Sequence, residues 1–251
     1  MAMFSPDQVR KYYDTMTASY LQIYGEVIQA FRPGKPATLL HYIAKSSGLK
    51  YGMRILDAGC GVCGPAIFFA KEYKVKVDAV TISPVQVAEA RRKIAAQKIQ
   101  HLVQIKEGDY HQLTSCFEPG KYDAVYFLES LGHSNDIKRV ISASYEMLKN
   151  GGYIYIKDFY RKISYDTAQQ KKTDAVIESV NQHYQYNTLD LNTVVETLRS
   201  SGFEIVFIKR FDFKDDISIR FEFEKTHNID IFEGQPEFYP AEWLEIKCLK
   251  P

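Results

Sequence analysis

The stretch Ile55-Leu56-Asp57-Ala58-Gly59-Cys60-Gly61-Val62-Cys63-Gly64 constrains this chain more than any other. Apolar residues end a strand, an Asp closes it, and glycines at 59, 61 and 64 let the backbone turn tightly into the helical run Pro65 to Ala70. A ligand approaches such a turn closely, because no Cβ stands between it and the backbone N–H groups. G-x-G-x-x-G alone is shared by dinucleotide enzymes and several other nucleotide binders. A dinucleotide enzyme would place an acid about 20 residues on, at the end of the next strand. Asp78 falls near that distance, but the β-rich run from Val75 to Ser83 continues past it and ends near Thr81.

From residue 53 onward, β-rich runs alternate with helical patterns, the order that gives a parallel sheet covered on both faces. The expected strands are Arg54 to Asp57, Val75 to Ile82, Leu102 to Glu107, Tyr122 to Leu128 and Tyr153 to Phe159, with helices over 64–73, 84–97 and 136–149. Gly151-Gly152 reads as the turn into the fifth of these strands. Residues 160–187 are polar, rich in Lys, Gln and Tyr, and read as a helical excursion over the carboxyl edge of the sheet. A helix over 187–201, a strand over 203–213, an irregular acidic and aromatic segment over 214–241 and a last strand from Trp243 to Leu249 complete the chain. Residues 5–45 precede the sheet and read as helical, with Ser5-Pro6-Asp7-Gln8 as a helix start and an aromatic series at Tyr12, Tyr13, Tyr20, Tyr24 and Phe31. Such a series either anchors a terminal helix on the core or closes a cap over a ligand.

The 251 residues are thus expected to form a helical cap over 1–50 and one α/β domain over 51–251, with covering insertions at 160–187 and 214–241. A formal charge of +1, without long runs of either sign, offers no bulk attraction for a polyanion, so nucleic acid is not an expected partner. No apolar run approaches the roughly 18 residues of a membrane span. Met1 to Arg10 lacks the basic-then-apolar form of a signal peptide, so a cytoplasmic location is expected. Cys60, Cys63, Cys116 and Cys248 are too few for a disulfide framework. Cys60-x-x-Cys63 has the spacing of a redox pair or half a zinc site, but nothing completes four ligands; the two are expected to fill the turn, and no metal site is expected.

A ligand in such a sheet sits outside the carboxyl ends of the strands, where strand order reverses. Asp57, Thr81, Ile82, Gln86, Asp109 and Tyr110 fall at those ends, and so does Glu129, in Val125-Tyr126-Phe127-Leu128-Glu129-Ser130-Leu131-Gly132-His133. A carboxylate directly after an apolar strand is costly to bury unless it is hydrogen bonded or used. His133 could orient it, assist a proton transfer or cap the next helix.

Asp57-x-Gly59-x-Gly61 after a first strand resembles the first motif of S-adenosylmethionine (SAM) methyltransferases. Where many of these place an acid on the ribose, this chain has Thr81-Ile82-Ser83-Pro84-x-Gln86, which resembles the sterol, cyclopropane and isoprenoid branch. Gly108-Asp109-Tyr110, Glu129-Ser130, Leu148-Lys149-Asn150-Gly151-Gly152, the opening Tyr12-Tyr13-Asp14 with Thr17, Tyr20 and Tyr24-Gly25, and the run Val180 to Asn187 extend the likeness over about residues 10–210. The chain resembles the C-methyltransferases of sterols and of geranyl or farnesyl diphosphate.

The resemblance implies a Rossmann-like seven-stranded class I methyltransferase sheet, mostly parallel with an antiparallel last strand. It implies SAM as cofactor, on Asp57, Gly59, Gly61, Thr81, Ile82, Gln86, Asp109 and Tyr110. Glu129 is then the base that removes a proton after methylation, with His133 and Tyr13 beside it, and Tyr20, Tyr24, Asn181, His183, Tyr184 and Tyr186 line the acceptor pocket. Methylation of an alkene leaves a carbocation that aromatic faces stabilise and a carboxylate quenches; the chain has 18 Tyr and 15 Phe. Mg2+ is implied only for a diphosphate acceptor, with Arg10, Lys11, Arg161, Lys162 and His183 as candidate clamp residues. An N- or O-methyltransferase for a small metabolite and a catalytically silent SAM-binding subunit stay open as alternatives, and a homo-oligomer is compatible with either.

Overall fold

Ile55, Leu56 and Ala58 are buried without interruption along one strand, as only a strand covered on both faces can be. This strand, β1 (Arg54–Ala58), is central in the computed structural model, which describes residues 3–231 and 240–251. In chain order the helices are α1 (Pro6–Tyr24), α2 (Pro36–Ser47), α3 (Gly64–Tyr73), α4 (Pro84–Ala96), the single turn α5 (Leu113–Cys116), α6 (Ile137–Met147), α7 (Thr167–Tyr184), α8 (Leu191–Ser200) and α9 (Ser218–Thr226). The other strands are β2 (Lys76–Thr81), β3 (Val103–Glu107), β4 (Tyr122–Leu128), β5 (Leu148–Arg161), β6 (Glu204–Arg210) and β7 (Ala241–Leu249).

The sheet has seven strands in the order β3-β2-β1-β4-β5-β7-β6. β1 pairs in parallel with β2 and β4, while β7 runs antiparallel to both its neighbours, β5 and β6. Strand order reverses between β1 and β4, so the loops after these strands open the crevice in which an α/β sheet holds its ligand. One apolar core lies under α2, α3 and α4, and a second under α6 and α8. Among the described residues no helix is long and apolar enough to cross a membrane.

Local chemistry explains the N-terminal elements. Ser5 and Gln8 form a reciprocal capping box before Pro6, worth about 1 kcal/mol to α1. Glu245, fully buried on β7, accepts from Tyr42 and Ser46 of α2 at 2.5 Å each and from Tyr155 at 2.6 Å, so α2 is pinned to the sheet by a carboxylate that burial forces to be satisfied. Between α1 and α2 the chain is not helical; residues 25–35 form a strap across the crevice.

Two expectations are corrected. Gly151-Gly152 does not precede β5 but lies within it, as an irregularity where the pairing jumps from Tyr122↔Leu148 to Ala124↔Tyr153, with Gly151 at φ 76°. The segment 214–241 is not irregular throughout: α9 carries Phe223 into a stack on Tyr20, with centroids 4.5 Å apart. Its residues 232–239 lie outside the described residues.

Candidate active site

Two cavities meet at the crevice. The first, about 840 Å³, is lined by Asp57, Gly59, Gly61, Thr81, Ile82, Gln86, Asp109 and Tyr110, so the strand-end residues singled out from the sequence share one wall. Asp57 is 3% exposed and accepts no hydrogen bond among the described residues, and burial alone pushes its carboxyl up to about 7. Thr81 donates to Gln86 Oε1 at 2.6 Å, which leaves the Gln86 amide N–H groups to the cavity. Asp109 uses Oδ1 on the His111 backbone N–H and on Nδ1–H. Burial opposes its charge, and these His111 bonds outweigh burial and hold Asp109 below the usual carboxylate range.

The three glycines do different work. Gly61, at φ 53°, has only the Gln86 amide at 4.0 Å from an added Cβ, so its open side faces the first cavity. At Gly59 the side chain of Ser130 occupies the place of a Cβ, and at Gly64 the carbonyl of Glu26 does. From the sequence, Gly59 and Gly61 are expected at the cofactor and Gly64 only in the tight turn. The third also admits the strap, which rests against the N-terminus of α3.

A cationic ligand at Asp57 needs its ionised form, and a carboxyl at about 7 is largely protonated below neutrality. Binding of such a ligand should therefore release a proton. Affinity is expected to fall by roughly tenfold or more from about pH 8 to about pH 5.5, and Asp57→Asn should flatten that dependence. Calorimetry with S-adenosylmethionine across this range checks it; a flat wild-type profile would remove Asp57 from the contact.

The second cavity, about 910 Å³, is aromatic: Tyr13, Tyr20, Tyr24, Phe159, Tyr184, Tyr186 and Trp243 contribute to its wall. Tyr13, Ile28, Glu129 and His133 line both cavities and form the partition between them. His133 Nδ1 lies 3.0 Å from the Gln185 carbonyl, which only accepts, so Nδ1 carries the proton and Nε2 accepts from the Tyr13 hydroxyl at 2.7 Å. Burial lowers His133 to about 4, so the imidazole is neutral at pH 7.

Glu129 is heavily engaged. Oε2 accepts from Ala30 N–H at 2.6 Å, and Oε1 accepts from Phe31 N–H at 3.3 Å and from the Lys157 ammonium. Its φ of 58° is a left-handed conformation that costs a non-glycine residue about 1 kcal/mol or more. Lys157 is fully buried, also donates to the Phe31 carbonyl at 2.8 Å, and stands 5.4–5.7 Å from the ring centres of Phe31, Phe211 and Trp243. Burial pushes its ammonium down and the Glu129 carboxylate opposes that shift. The carboxylate therefore ties the strap to the sheet edge as well as facing both cavities.

Asn181 and His183 do not reach the acceptor wall. Asn181 accepts from Thr188 N–H and O–H at the end of α7, and His183 is exposed, bonded to Ser179 of its own helix. The candidate clamp is not assembled either: Arg10 and Lys11 pair with Asp7, Arg161 pairs with Asp174, and neither they nor Lys162 and His183 line this cavity. Among the described residues its cationic lining residue is Arg220, 3.8 Å from Glu224 on α9. Sequence reading missed Arg220 and Glu224 together with Lys157, although Lys157-Asp158 after the apolar run Tyr153 to Ile156 was a visible signal.

Sheet order, glycine loop and paired cavities together define a class I methyltransferase fold. The family model described as mycolic acid cyclopropane synthetase matches residues 37–219, and the chain belongs to that family. It is 30% identical over 164 residues to the sterol 24-C-methyltransferase of Aspergillus fumigatus, covering 62% of this chain and 43% of that protein. The chain spans about half the length of the curated relatives it matches. Among solved structures, the [4+2]-cyclase SpnF superposes with a TM-score of 0.82 at 19% identity, over 100% of this chain and 98% of that one. A geranyl diphosphate methyltransferase in complex with GPP and sinefungin superposes with a TM-score of 0.78 at 14% identity, over 98% and 99%. At these identities the likeness is one of fold.

Proposed function

We propose that the chain transfers a methyl group from S-adenosylmethionine to an alkene carbon of a neutral, isoprenoid or sterol-like acceptor. The observation that carries this is the partition: a polar, loop-built cavity and an aromatic one meet at Tyr13, Ile28, Glu129 and His133. The first cavity fits the cofactor, since among the described residues the buried Asp57 carboxyl meets no donor and the Gln86 amide hydrogens no acceptor, and the second oxygen of Asp109 can accept from an adenine amino group. When bound, the cofactor supplies an electrophilic methyl on a sulfonium.

The chain's own residues would do the rest. The ring faces of Tyr13, Tyr20, Tyr186 and Trp243 exclude water and stabilise the positive charge left on the acceptor after its alkene attacks. A carboxylate offers about four lone-pair directions; three on Glu129 are taken, and the remaining one is our candidate proton acceptor. Residues 1–50, 160–187 and 214–241 would cover the acceptor.

Neutrality of the acceptor follows from charge. Among the described residues Arg220 faces Glu224 and Glu129 is balanced by Lys157, so that part of the wall has no excess of cations for a diphosphate. Mg2+ would enter only with an acceptor of that kind. A second reading, N- or O-methylation, is favoured by the neutral Nε2 of His133, which could deprotonate an amine or hydroxyl through Tyr13. The test offers methyl-labelled SAM with neutral isoprenoids and sterols, isoprenyl diphosphates, amines and phenols together. Label on carbon of a neutral acceptor supports the proposal; label only on diphosphates, or only on nitrogen or oxygen, overturns it.

A further inference from the structure

We propose that Gln29 and Asp57 together hold the amino-acid end of the cofactor, Gln29 donating its amide N–H groups to the α-carboxylate while Asp57 takes the α-ammonium. This rests on the cofactor assignment above and adds a residue from the strap, outside every glycine-loop and strand-end motif. Gln29 is 2% exposed, lines the cofactor cavity, and neither Oε1 nor Nε2 has a hydrogen-bond partner among the described residues. Buried amides are nearly always paired, because leaving one unpaired forfeits its hydration without return. Asp57 is a second buried polar side chain on this wall that has no hydrogen-bond partner among the described residues. One orphan offers donors and the other a negative charge, the complement of a zwitterion.

The position of Gln29 selects which end of the ligand it meets. The strap rests on α3 at one point, where the Glu26 carbonyl occupies the space a Cβ on Gly64 would need, and on Glu129 at another, through Ala30 and Phe31 N–H. Gln29 lies between these anchors, above the ends of the adjacent strands β1 and β4, where Asp57 also lies. Its own N–H is fixed on the Val27 carbonyl at 3.0 Å, so the backbone from which the amide projects is set by the strap. Asp109 and Tyr110 follow β3, two strands away, and Thr81 and Gln86 follow or flank the end of β2, so the far end suits a base and the middle a ribose. The amino-acid end then falls beneath the strap.

The experiment compares S-adenosylhomocysteine, which has the zwitterion, with methylthioadenosine, which lacks it, by calorimetry on the full chain. Gln29→Leu should weaken S-adenosylhomocysteine by roughly 10- to 100-fold, the range for a hydrogen bond to a charged group, while methylthioadenosine affinity stays unchanged. Gln29→Glu, which sets a carboxylate against a carboxylate, should weaken it further. The ligand-free Gln29→Leu protein should melt no lower than wild type, because an apolar group replaces an unpaired buried amide. Equal weakening of both ligands would mean that the substitution moves the strap, and no weakening of either would mean that Gln29 does not touch the ligand; each overturns the proposal. Wild-type protein that binds methylthioadenosine but gains nothing from the zwitterion overturns it while leaving the cofactor cavity assigned, whereas failure to bind either ligand removes both.

Discussion

Glu129→Gln is expected to destabilise the protein by roughly 3–5 kcal/mol, because the amide removes the countercharge of a fully buried Lys157. The double variant Glu129→Gln/Lys157→Met should recover most of that loss, since the buried charge leaves with its partner. Turnover should not recover. If Glu129 takes the proton from the methylated acceptor, both variants stay about 10²- to 10⁴-fold below wild type, with cofactor affinity retained in the double variant. Denaturant unfolding and initial rates at saturating acceptor separate the two roles. Recovery of turnover in the double variant would leave Glu129 as a tie for the strap and move the proton to Tyr13 and His133, which stand in the same partition.

Gly64→Ala is the second substitution with a large expected effect. The added Cβ overlaps the Glu26 carbonyl, a backbone atom, so the strap must lift. A cost of about 1–3 kcal/mol in stability is expected from overpacking. Cofactor and acceptor binding should fall together, because the strap lines both cavities through Ile28. Gly61→Ala should behave differently: its Cβ meets no protein atom closer than 4.0 Å, so it should weaken the cofactor alone, apart from the strain of its positive φ. Calorimetry and thermal unfolding on the two variants check this, and a Gly64→Ala protein with both affinities intact would contradict it.

Most of the sheet could be read from the chain because its signals are local. The buried runs at 55–58 and 124–128 and the prolines at 65 and 84, just inside helix starts, fix elements without reference to anything distant. The wall of the cofactor cavity was legible for the same reason, since the carboxyl ends of the parallel strands β1, β2, β3 and β4 share one edge. What was not legible depends on contacts far apart in sequence. The strap has no periodicity, and its course is set by Gly64, Glu129 and Lys157. α9 is held by Phe223 against Tyr20 and Tyr24.

The misplacement of Asn181 and His183 has a plainer cause. Ile177, Val180 and Tyr184 line the acceptor cavity from α7, a spacing of three and four residues that defines one helical face. Position 183 falls off that face and bonds Ser179 of its own helix, whereas Asn181, four residues after Ile177, is drawn to Thr188 N–H and O–H by the turn that ends α7, a contact beyond the reach of helical periodicity.

The most direct test of the account is the fate of hydrogen at the acceptor. A neutral isoprenoid alkene is incubated with trideuteromethyl SAM, and the product is analysed by mass and by NMR of the new carbon centre. The expected product carries a methyl on carbon that keeps all its deuterium, with one acceptor hydrogen lost and the alkene restored. A methyl on oxygen or nitrogen with the alkene untouched, or transfer that requires a diphosphate on the acceptor, would contradict it.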